Sequence, residues 1–92
     1  KLTCAFSAAE DGMKLEIIVP SLELAFDHAA IELGNQRLWV DTPKLERQDR
    51  RLIVTTQIMT PTGQPMAIGR DGVTTTLFSP NGAIEYRGCL GA

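Results

Sequence analysis

Two cysteines and one histidine are the residues of this 92-residue chain whose types carry the most chemistry. Cys4 and Cys89 lie near opposite ends. Joined, they would close nearly the whole chain into a loop, which chain entropy makes worth roughly 4.5 kcal/mol. A small domain is held by only about 5–15 kcal/mol in total, so such a bridge would matter. The alternative is two unrelated buried thiols, since free cysteine packs as a small hydrophobe. Both cysteines fall in segments that read as strands and their number is even, so the disulfide is the reading adopted. It implies an oxidising compartment, periplasmic or secreted. The spacing is not that of a Cys-x-x-Cys redox pair, and two thiols with one imidazole do not complete a four-ligand zinc site. No metal or other cofactor is expected.

His28 follows Asp27, and neighbours on a strand point to opposite faces, so the two do not form a dyad. A general base needs a partner and a pocket, and His28 is read as a turn or surface residue. The chain contains no Gly-x-Ser-x-Gly, P-loop or His-Glu-x-x-His spacing. Gly63, Gly69 and Gly72 do not match a phosphate cradle. The acidic pairs Glu10-Asp11 and Glu46/Asp49 fall in expected turns, where carboxylates are solvated. A non-catalytic role follows as the expectation. Lys44, Arg47, Arg50 and Arg51 interleave with Glu46 and Asp49, leaving a local excess of two positive charges (four minus two) on what reads as an exposed turn around Gln48-Asp49. Trp39, in a chain with five aromatics, is read as a core residue.

The longest loop expected is 60–72, which holds two prolines and three glycines. Loops held rigid by a small β scaffold are where binding concentrates. Met66 and Ile68 are apolar residues in an otherwise polar run, and either tuck beneath the loop or face a partner. Thr62, Gly63, Gln64, Met66 and Arg70 are the candidate partner-binding residues.

These residues need a scaffold, and composition says which kind. Thr, Ile and Val supply 20 residues, with eight Gly and five Pro punctuating them. β-Branched residues suit pleated sheets, and short strands with frequent turns suit a sandwich or barrel. Ninety-two residues fit a single domain, 1–92. Eleven acidic against nine basic residues give a net charge of −2, unlike a chain that binds nucleic acid through clustered Lys and Arg. No apolar run reaches the roughly 18 residues of a membrane-spanning helix. No charged and then apolar leader precedes the domain, so any signal peptide is expected to have been removed already or never to have been part of this sequence.

Strands are expected at 2–7, 13–19, 52–59, 73–78 and 83–89, the last two joined by a Ser79-Pro80-Asn81-Gly82 turn into an antiparallel hairpin. Residues 21–33 admit two readings. As a helix, Ser21 caps a face of Leu22, Phe26, Ala29 and Leu33, and Gly34 ends it. As strands, Leu22, Leu24 and Phe26 alternate, Asp27-His28 turns, and Ile31 with Leu33 begins a hairpin through Gly34-Asn35. Its second strand is 37–41, with Leu38 and Val40 on one face and Trp39 on the other. The alternation on both sides favours strands, which is the reading adopted.

The run Asp71-Gly-Val-Thr-Thr-Thr-Leu-Phe, then Asn81-Gly, then Tyr86-Arg-Gly-Cys89, resembles the end of the C-type lysozyme inhibitor family, the membrane-bound and periplasmic inhibitors. The likeness covers about the last 20 residues together with Cys4. It implies a small β-barrel whose last strand ends in Tyr-x-Gly-Cys, a bridge from Cys89 to Cys4, and an exported inhibitor. The family's Ser-Gly-x-x-Tyr loop and its Lys-Gly partner loop have no counterpart here, and the only tyrosine is Tyr86. No inhibitory residue therefore carries over.

The expectation is an all-β fold: a small antiparallel barrel or sandwich of about eight short strands, closed by the terminal disulfide. The function expected is an exported binding module for another protein, with lysozyme inhibition as one version. The rival is a structural or assembly domain of a cell-envelope protein that binds through a strand edge or forms a homo-oligomer.

Overall fold

Alternation of apolar and polar residues decides where the strands form. In a computed structural model, which describes residues 2–20, 26–34 and 37–91, the chain folds into two β-sheets around one core. Strand β1 (Thr3–Ala9) and strand β2 (Gly12–Pro20) make a long hairpin. Along β2, Met13, Leu15, Ile17 and Val19 are buried while Lys14 and Glu16 face outward. Such period-two burial is what one covered sheet face requires. Strand β3 is His28–Leu33, β4 is Trp39–Val40, β5 is Lys44–Gln48 and β6 is Arg51–Met59. β6 buries Leu52, Val54, Thr56 and Ile58 opposite β2, from Gly12↔Met59 to Pro20↔Arg51. A 3₁₀ turn (Arg70–Gly72) leads into β7 (Val73–Ser79), β8 (Gly82–Arg87) and β9 (Leu90–Gly91).

The first sheet runs β4–β6–β2–β1–β9, with β5 following β4 along the same edge of β6; the second runs β3–β7–β8. Every pairing is antiparallel except β1 with β9. Leu15, Ile17 and Val54 from the first sheet meet Ile31, Val73 and Leu77 from the second in one cluster. Fully burying each such side chain contributes roughly 1.5–3 kcal/mol.

Two glycines are required by the backbone. Gly12 turns β1 into β2 at φ +152°, and a Cβ there would run into the Ile58 carbonyl oxygen. Gly88, at φ +78°, carries the chain from the second sheet to the first. The strand expected over 83–89 therefore stops at Arg87. The Gly88 N–H donates to the Val73 carbonyl at 2.7 Å, and the Leu90 N–H to the Leu2 carbonyl at 2.8 Å. Between them Cys89 is bonded to Cys4 with their Cα atoms 5.8 Å apart. The all-β reading and the terminal disulfide are both present, as two sheets tied at the chain ends.

Three expectations are corrected. Ile31 and Leu33 do not begin a hairpin with 37–41, because β3 pairs with β7 and β4 with β6, in different sheets. β7 offers β3 a six-rung ladder from His28↔Phe78 to Leu33↔Val73, far more buried surface than two-residue β4 can supply. The charged run at 44–51 is strand β5 and the start of β6 rather than a turn throughout. Its turn is Asp49-Arg50, with Asp49 at φ +52°, a conformation aspartate tolerates better than most residues. Trp39 is 66% exposed and not a core residue. Residues 28–33 are strand, and the reading of Leu22 and Leu24 falls outside the described residues.

Candidate functional site

The edge of the first sheet builds a surface around Trp39. Leu38 and Val40 pack partly buried against the core, so the residue between them must face outward. Directly opposite it on β6 is Met59, itself 37% exposed, on the same outer face. The edge then bulges between β4 and β5. The Asp41 N–H donates to the Gln57 carbonyl at 2.9 Å, and the buried Thr56 hydroxyl donates to the Asp41 carbonyl at 2.7 Å. Lys14, Asp41, Thr42, Lys44, Thr55 and Gln57 surround a hollow of about 380 Å³ beside this bulge.

The loop after Met59 is held by a second buried threonine. The Thr60 hydroxyl donates to the Gln64 carbonyl at 2.7 Å, and the Gly63 N–H donates to the Thr60 carbonyl at 3.2 Å. The Met66 N–H lies 3.4 Å from the Met13 sulfur. Pro61, Thr62 and Met66 line a hollow of about 260 Å³ with Arg37, just ahead of β4. Further on, Ile68 packs against the core and lines a cavity of about 200 Å³ with Leu33, Leu38 and Asp71. Arg70 then reaches the opposite edge of the sheet. Its guanidinium sits over the Phe6 ring at 5.7 Å from the centroid, and its carbonyl accepts from the Cys89 N–H at 3.2 Å.

The structure thus divides the candidate residues. Thr62, Gly63, Gln64 and Met66 lie together in the half of the loop that adjoins Met59 and Arg37, whereas Arg70 lies beside β1 and β9. Ile68 tucks beneath the loop and Met66 is half-buried. His28 is exposed at the start of β3, opposite Phe78. Glu10, Asp11, Glu46 and Asp49 are exposed on turns and an edge strand. Among the described residues no three His, Cys, Asp or Glu side chains gather as a metal site, and no buried side-chain polar atom lacks a partner. On β8 the Arg87 guanidinium is 2.9 Å from the Glu85 carboxylate, whose hydrogen bond and charge hold the arginine above its ordinary range.

Sequence reasoning missed Trp39, Met59, Thr56 and Thr60. The signal for Trp39 was present in the alternation of Leu38 and Val40, which leaves Trp39 on the other face. The two threonines gave no signal, because their role depends on which strand edge lies beside them. Compared with protein-family models, curated proteins and solved structures, the chain matches none.

Proposed function

We propose that the protein is an exported, non-catalytic binding module that engages another protein through the end built from β4 and residues 60–66. The observation that carries this reading is the exposed Trp39–Met59 pair. Tryptophan is over-represented among the residues that dominate interface energy, and methionine is enriched at interfaces. This Trp is anchored by Leu38 and Val40 on the core side and by the Thr56 bond next to it. A rigid anchor loses little conformational freedom on binding. Thr62 and Gln64 supply a polar rim. Export is supported by the Cys4–Cys89 bridge, because disulfides persist in oxidising compartments.

A C-type lysozyme is the first target to test, in line with the resemblance of the C-terminal run. The family's inhibitory loops have no counterpart, so an inhibitor built on this chain uses the Trp39 end instead. The assembly-domain reading is favoured by a different observation, the outer edge of β8, with which no strand among the described residues pairs.

Photo-crosslinking residues placed at positions 39 and 62, with position 46 as control, test the assignment in cells. Crosslinks to one protein from 39 and 62 but not from 46 support it; none from either overturns it. Titration calorimetry with a purified C-type lysozyme tests the narrower version. Binding weakened at least tenfold in Trp39→Ala supports it, and absence of binding by the wild-type chain removes it.

A further inference from the structure

Among the described residues the strand edges are guarded with two exceptions, that of β1 beyond Cys4, where no strand pairs and Arg70 lies over Phe6, and that of β8. The β4–β5 edge is interrupted at Pro43 and carries Lys44, Glu46 and Arg47. β9 is two residues long, and β3 lies beside β4 and β5. Prolines, charges, interruptions and shortness are the usual ways of blocking an edge against another chain. β8 is six residues without Pro, Lys or a bulge, and pairs with β7 from Ser79↔Gly82 to Thr74↔Arg87. No strand among the described residues pairs with its other side.

Its side chains are patterned for one partner. Leu77↔Ile84 and Thr75↔Tyr86 put Ile84 and Tyr86 on the core-facing side, since Leu77 and Thr75 are buried. Ile84 is nevertheless 37% exposed, with no strand among the described residues beyond the edge to cover it. Ala83, Glu85 and Arg87 take the outer face. Glu85 and Arg87 are two residues apart and opposite in charge, which makes the edge complementary to itself.

We propose that β8 pairs antiparallel with β8 of a second copy, joining the two β3–β7–β8 sheets into one of six strands. A two-fold axis through the sheet keeps core-facing residues opposite core-facing residues. Centred on Tyr86, the register pairs residues 85–87 of the two strands, setting Glu85 opposite Arg87 of the second copy and Arg87 opposite its Glu85. Opposite charges directly across an antiparallel pair stabilise it. The same register brings Ile84 diagonal to Tyr86 of the second copy, within reach for an aromatic side chain. Centring on Glu85 instead would place two carboxylates face to face. Charge therefore selects both the occupant and the register.

Sedimentation velocity of the full chain tests this with Glu85→Arg and Arg87→Glu. Both sites are exposed, and thermal melting reports whether each variant keeps the fold. The wild type is expected to dimerise with rising concentration, and each variant alone to remain monomeric where the wild type is dimeric. Mixing the two variants restores the dimer. The Glu85→Arg copy is basic at both positions and the Arg87→Glu copy acidic at both, so opposite charges again face each other across the pair. The intrachain Glu85–Arg87 bond is absent from both variants, so recovery on mixing reports pairing between chains. A monomeric wild type at every accessible concentration, a mixture that stays monomeric, or single variants that dimerise like the wild type would each overturn the proposal. A different protein bound along β8 while the purified chain stays monomeric would also overturn it.

Discussion

At Gly12 the turn between β1 and β2 leaves no room for a side chain, since a Cβ would meet the Ile58 carbonyl and the backbone holds φ +152°. Gly12→Ala is expected to cost about 1–3 kcal/mol, read as a lower urea midpoint. Leu15 is fully buried between the sheets, and Leu15→Ala is expected to cost about 2–5 kcal/mol by the same measurement. Trp39→Ala removes a side chain that is mostly in solvent, and is expected to shift stability by less than about 0.5 kcal/mol. A large loss on Trp39→Ala would show that the ring supports the fold rather than a partner. At this scale the sequence was readable wherever one face alone is covered. Alternation separated Leu38 and Val40 from Trp39 without saying which face is covered; the structure turns Leu38 and Val40 inward, and the rarity of aromatics was a poor guide to Trp39. The grouping of Thr62, Gly63, Gln64 and Met66 follows from their closeness along the chain. Residues 61–64 follow closely on the end of β6, whereas Arg70 lies over Phe6 on β1, a long-range contact that loop sequence does not reveal.

Strands β2, β6 and β7 could be read from their own residues, because each buries every second side chain. The β7–β8 hairpin was also local, with Asn81-Gly82 supplying its turn. Pairing between distant strands was not, since period two says which face is covered and not which neighbour covers it. Proximity along the chain therefore points β3 toward 37–41, while the structure pairs it with β7. β5 gives little signal because an edge strand on a charged stretch buries little; only Leu45 packs against the core. The same distinction orders the local stabilities. Amides of β2 and β6, deep in the first sheet, are expected to exchange slowest, and those of β9 fastest among the strands. Hydrogen exchange followed by NMR measures this, and comparable rates in β9 and β2 would contradict it.

For the whole molecule, the bridge between Cys4 and Cys89 has 85 residues of sequence separation. Chain entropy predicts that reducing it costs about 4.5 kcal/mol, which paired urea titrations with and without reductant would measure. The extents of 39 × 23 × 20 Å describe an elongated body. Trp39 lies on one edge of its first sheet and the disulfide near the other. Loss of the bridge is therefore expected to lower stability without altering the surface around Trp39.

The parallel placement of β9 against β1 also decides how the protein would carry a pulling force. Tension between residues 2 and 91 enters beside Cys4 and leaves beside Cys89, so the load passes through a sulfur–sulfur bond and bypasses the core. Held in a force spectrometer, the oxidised chain is expected to yield only the few residues outside the bridge. After reduction it should lengthen by about 30 nm, the reach of the 85-residue span at 3.3–3.6 Å per residue. In its oxidised form the fold is a mechanical clasp, with its sheets suspended to one side of the line of force.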